Sequence, residues 1–171
     1  MPFRRNQIRD AAELAYRRVV EQARRPEFFT RLGVPDTLDG RFELICLHAF
    51  LYLHRLKGDA TAAAVTQRFY DTMFADFDRS LRELGTGDLS VGRQIKRMAE
   101  AFSGRIRAYE DGIGGDDAVL AAALARNLYG TAPAGAEQVA DMARYLRREA
   151  VGLAAQPAVS LLAGAVAFAA P

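Results

Sequence analysis

Apolar residues recur at helical spacing along almost the whole chain, and no stretch of useful length alternates with period two. The pattern predicts a first helix from about Asn6 to Arg25, with Ile8, Ala12, Ala15, Val19 and Ala23 along one face and Pro26 as its stop. Phe28, Phe29 and Leu32 then form a short apolar cluster before the breaker Gly33-Val34-Pro35. A second helix is predicted from Asp36 or Thr37, either able to cap it, to Lys57 before Gly58. Its apolar residues between Leu44 and Leu53 point in every direction around the axis, which marks a buried helix and makes about 38–57 the expected centre of the core. Asp59 can cap a third helix, Ala60 to Leu84, whose apolar face is Phe69, Tyr70, Met73, Phe77, Leu81 and Leu84; Phe74 lies about 70° from the centre of that stripe. After Gly85-Thr86-Gly87, a fourth helix opens at Asp88 or Ser90. It carries Val91, Ile95, Met98, Ala99, Phe102, Ile106 and Tyr109 on one side and is ended by Gly112, Gly114 and Gly115. A fifth, Asp117 to Tyr129, follows the cap Asp116, and a sixth runs from Ala134 to Val151. The expectation is an all-α fold: one compact domain over 1–171, about six helices around a buried central one, with 155–171 as an extended C-terminal tail.

Composition narrows the function classes. Half of the 171 residues are hydrophobic and 26% are charged, an ordinary globular balance that argues against disorder. The net charge of +2 is too small to argue for nucleic-acid sequence recognition. A single cysteine, Cys46, excludes an internal disulfide and a multi-cysteine zinc site. The stretch Met1 to Arg25 is rich in Arg and Ala, but Asp10, Glu13 and Glu21 argue against a transit peptide, and no apolar segment of a secretory signal follows. Cytoplasmic location is expected. The uncharged run Val151 to Pro171 is broken by Pro157 and diluted by Gly152, Gln156, Ser160 and Gly164, so it is weak as a membrane span.

The rare reactive side chains do not converge locally. Cys46 and His48 diverge by about 160° on a helix, and His48 and His54 by about 120°, so neither a thiol–imidazole dyad nor a local metal pair forms; His48 reads as a satisfied core or rim histidine. Asp76 and Asp78 cannot face each other at i, i+2. Asp78 with Arg82, and Arg79 with Glu83, are spaced as surface ion pairs. Gly85 and Gly87 lack the preceding strand and following Lys-Ser/Thr of a phosphate loop, and read as a helix C-terminus and tight turn. The expectation is therefore no enzyme, no catalytic residue, no cofactor and no metal. One feature stands out. The outer face of the fourth helix carries Arg93, Lys96, Arg97 and Arg107 around Gly104, with Glu100 among them. A mid-helix glycine costs about 1 kcal/mol relative to alanine, which suits a position that another macromolecule approaches closely; the alternative is a solvated arginine-rich face with an incidental glycine. Arg105 and Phe74 join this face as candidate partner-binding residues.

The run from Phe69 to Ile113, FYDTMFADFDRSLRELGTGDLSVGRQIKRMAEAFSGRIRAYEDGI, resembles the signature of the ubiquinol–cytochrome c chaperone family. Met73, Gly85, Gly87, Asp88, Phe102 and Tyr109 are among its matching positions. The chain departs from that pattern at Phe77, Thr86, Arg93, Ile95 and Ser103. The resemblance implies a helical, non-enzymatic factor that assists assembly of respiratory complex III by holding newly made cytochrome b at the cytosolic face of the inner membrane. Mitochondrial members of the family also have a small partner subunit and attach at the ribosome exit. Two other readings remain open on the residues alone. One is a small helical ligand-binding protein or enzyme built around the Gly85 turn, and the other a membrane-surface adaptor acting through the basic face and the tail.

Overall fold

The computed structural model describes residues 5–171, so the first four positions of the expected domain, and of the stretch read against a transit peptide, lie outside the described residues. Helix α3, Leu38–Leu56, runs through the centre, and α1 (Arg5–Ala23), α5 (Asp88–Gly114) and α7 (Ala136–Ala155) pack around it. The short α2, Glu27–Thr30, is formed by the Phe28 cluster. Helix α4 (Ala63–Glu83) lies against α1 and α5, and α6 (Asp117–Asn127) joins α5 to α7. A last short helix, α8, covers Ala158–Leu162. No strand occurs among the described residues. The six long helices fall where the periodicity puts them; α2 and α8 are additions.

The reason α3 is central is chemical. Leu44, Leu47, Phe50, Leu51 and Tyr52 are all fully buried, and each side chain removed from water contributes about 1.5–3 kcal/mol. Thr37 caps α3 by accepting a hydrogen bond from Gly40 N–H at 3.1 Å. Gly40 itself is required by crowding, since a Cβ there would sit 1.9 Å from the Pro35 carbonyl oxygen. Asp59 accepts from Thr61 N–H at 2.8 Å, capping a 3-10 turn (Ala60–Ala62) that leads into α4. Asp116 caps α6 through Val119 N–H at 3.0 Å.

Three local expectations need correction. Gly112 does not end α5: it lies inside the helix, where a Cβ would be 2.8 Å from the Leu120 side chain, so its small size lets α5 and α6 approach. Neither Asp88 nor Ser90 caps α5. Gly87 holds that position, and Asp88 instead pairs with Arg82. Arg79 pairs with Asp76 and not with Glu83, whereas Arg82 does bond Asp78 at 2.6 Å.

His48 is fully buried and satisfied. Its Nδ1 lies 2.7 Å from the Leu44 carbonyl, which can only accept, so Nδ1 carries the proton. Nε2 then accepts from the Tyr145 hydroxyl at 2.8 Å, and Tyr145 in turn accepts from Gln22 Nε2 at 2.9 Å. Burial drives the His48 pKa down to about 4. The segment expected as an extended tail packs on the domain. Leu161 and Val166 are buried, Phe168 stands edge-on to His48, and residue 169 is held at both backbone groups, its N–H by Glu149 at 2.9 Å and its carbonyl by Gln22 at 2.7 Å.

Candidate docking surface

Helix α4 ends in a pair of hydrogen bonds that set the geometry of everything after it. Thr86 N–H donates to the Leu81 carbonyl at 3.0 Å and Gly85 N–H to the Arg82 carbonyl at 2.9 Å, with Gly85 at φ +86°. That is the Schellman arrangement, and it requires glycine at the left-handed position. The chain then reverses into α5, whose inner residues Val91, Phe102 and Tyr109 are fully buried, Phe102 beside Tyr70 and Phe74 of α4 and Tyr109 beside Phe50 of α3. The opposite face is left outward.

On that outer face Arg93, Lys96, Arg97 and Arg107 are exposed and make no ion pair among the described residues. A Cβ at Gly104 would meet nothing within 4 Å, so no neighbour inside the domain explains the glycine. Four cations, with the exposed Glu100 among them, thus share a face with a glycine whose small size serves no internal contact.

Arg105 is placed differently. It turns inward between α5 and α3, donating through Nε to Glu43 at 2.6 Å and through Nη2 to the other carboxylate oxygen. The guanidinium also lies 5.8 Å from the Phe42 ring centre. Burial pushes the Glu43 carboxyl above its ordinary value despite Arg105, and the carboxylate holds Arg105 above its own. Phe74 is likewise inside. It is 8% exposed, its ring 4.5 Å from Tyr70 and 5.5 Å from Phe77, with Phe102 beyond. Phe74 is thus packed inside, while Arg105 spends its guanidinium on Glu43 and lies half-buried. Met73, Phe102 and Tyr109 are fully buried core, while Gly85, Gly87 and Asp88 build the turn.

Sequence reasoning missed an apolar trough beside the basic face. A cleft of about 440 Å³ opens between the end of α1, the start of α3 and the end of α4, and a second of about 600 Å³ continues it along α5 toward α6. The two share Leu38, Phe42, Leu81 and Met98. Leu38 and Leu84 stand 62% exposed at its lips. Arg24 lines the first cleft, and Arg97 and Arg126 the second. The signal was present in part: a helix apolar on every side, such as α3, needs cover on every side, and here the side carrying Phe42 and Ile45 is only half-covered.

No group of three or more His, Cys, Asp or Glu side chains among the described residues could hold a metal ion. No helix among them is long and apolar enough to cross a membrane. Fold and surface together define an all-helical domain with a cationic helix face beside an apolar trough.

The comparisons place that domain among known proteins. The profile of the family described as Ubiquinol-cytochrome C chaperone matches residues 30–168, and the chain belongs to that family. The ubiquinol-cytochrome-c reductase complex assembly factor 1 of Xenopus laevis is 32% identical over 129 residues, 75% of this chain and 64% of that protein. Its Homo sapiens counterpart is 28% identical over 143 residues, 83% of this chain and 48% of its own length. This chain therefore spans between about half and two thirds of those relatives. The crystal structure of the Cbp3 homolog from Brucella abortus superposes with a TM-score of 0.86 at 34% identity, covering 96% of this chain and 91% of that one.

Proposed function

We propose that this protein is an assembly chaperone of respiratory complex III that binds newly made cytochrome b at the cytosolic face of the inner membrane and acts by docking, without catalysis. Its relatives carry the name of complex III assembly factors. The observation that carries the reading is the outer face of α5, where four exposed cations without ion pairs, interrupted by Glu100, share a face with a glycine that no internal contact explains. A chaperone of this kind holds its client and releases it, so contacts of modest strength at a polar, small-residue surface suit the task.

Gly104→Leu tests it. Replacing a half-buried helical glycine by leucine raises helix propensity by up to about 1 kcal/mol, and a Cβ at this position meets nothing within 4 Å. The variant should melt at or slightly above the wild-type temperature, with unchanged helical circular dichroism. Capture of cytochrome b from cells under mild crosslinking should fall several-fold. Undiminished capture would remove α5 from the docking surface. Absence of cytochrome b from the wild-type capture would overturn the function itself.

A further inference from the structure

Resting on that reading, we propose that the trough between α1, α3, α4 and α5 is the seat of an apolar α-helix of the client, one that carries carboxylates at both ends of its buried face. The two clefts share Phe42, Leu81 and Met98 in their floor and Leu38 at the lip, so they form one continuous trough. Leucines 62% exposed at both lips, Leu38 and Leu84, lose contact with water only if something lies across them. Helix-in-groove recognition has this form, with apolar residues at i, i+3, i+4 and i+7 entering the floor.

The charge distribution selects the occupant. Arg24 at one end and Arg97 and Arg126 at the other make no ion pair among the described residues. The other charges along the trough are mostly spent internally: Arg41 on Asp36, Asp76 on Tyr16 and Arg79, and Glu43 on Arg105. Asp39 is the exception, exposed and without an ion pair. The available field is therefore cationic at both ends of an apolar floor. A helix with acidic flanks is complementary to it, and one with basic flanks is repelled.

The full chain is titrated, by fluorescence anisotropy, with two synthetic amphipathic helical peptides that share one Leu/Phe face and differ only in Glu or Lys flanks. The Glu-flanked peptide should bind about tenfold more tightly at low salt, a gap that closes as salt rises. Leu38→Gln combined with Leu84→Gln changes exposed side chains only and should weaken the Glu-flanked peptide about tenfold. Arg24→Glu combined with Arg126→Glu should reverse the preference between the peptides. Equal binding of both peptides, or binding indifferent to the leucine pair, overturns the proposal. A concentration-dependent dimer abolished by the leucine pair also overturns it, by giving the trough to a second copy. Cytochrome b capture unaffected by either double variant leaves the chaperone reading intact and removes the trough from it. Peptide binding as expected without any cytochrome b capture does the reverse.

Discussion

Arg105→Met should destabilise the protein by about 3 kcal/mol, enough to lower the melting temperature by roughly 10 °C in a domain of this size. The loss comes from what stays behind. Glu43 is 7% exposed and accepts both of its side-chain hydrogen bonds from Arg105. Without Arg105, its charge is buried with no counter-ion, and it must either remain ionised at high cost or take up a proton. The sign with pH follows. A carboxyl whose pKa is raised in the folded state contributes most below its unfolded value and loses that contribution as pH rises through the folded one. The deficit of Arg105→Met should thus shrink in mild acid and be largest at neutral pH. Glu43→Met added to Arg105→Met should restore stability to within about 1 kcal/mol of wild type, because an apolar pair removes both desolvation penalties. A double variant as unstable as the single one would show that shape, and not charge, governs the site. This pair joins α5 to α3, so these variants measure how firmly the docking helix is anchored.

Acid should also weaken the fold through His48. The neutral ring is required by its contacts: Nδ1 donates to the Leu44 carbonyl and Nε2 accepts from Tyr145, so a second proton would break the latter bond inside the core. With the folded pKa near 4 and the ordinary value at 6.5, the depressed value means that the unfolded chain binds the proton first. The contribution, about 3 kcal/mol, is fully present above pH 6.5 and is lost progressively as pH falls toward 4. Glu43 works in the opposite sense over acid pH, so the clean readout is a difference: urea unfolding of wild type and His48→Phe from pH 7 to 5. The wild type should lose stability more steeply. Parallel slopes would mean that His48 titrates normally and is not sealed in the core.

What was legible in the sequence was what periodicity encodes. The all-round apolar run of α3 announced the centre, and the stripe from Val91 to Tyr109 announced which face of α5 is buried. Gly85 was readable as a helix terminator because only glycine is comfortable at its φ of +86°. Some misses were avoidable. Arg105 sits three residues after Phe102 and four before Tyr109, both core, and that spacing alone places it on the inner face. Phe74, four after Tyr70 and three before Phe77, is a similar case. Other features lay beyond local pattern. Gly112 faces Leu120 because two helices cross there, and the trough exists because α1, α4 and α5 leave Phe42 and Ile45 of α3 only half-covered. The packing of the last residues depends on Gln22 and Glu149 bonding to backbone groups, a pairing that composition does not announce.

The central claim is that α5 presents the surface on which newly made cytochrome b is held. A photoreactive amino acid placed at Lys96, exposed on the outer face of α5, tests it directly when paired with the same group at Ala154, exposed on α7. After a short pulse of radiolabelled amino acid and illumination in cells, Lys96 should yield a labelled adduct containing cytochrome b and Ala154 should not. Adducts of equal yield from both positions, or a labelled adduct from Ala154 alone, would contradict the account.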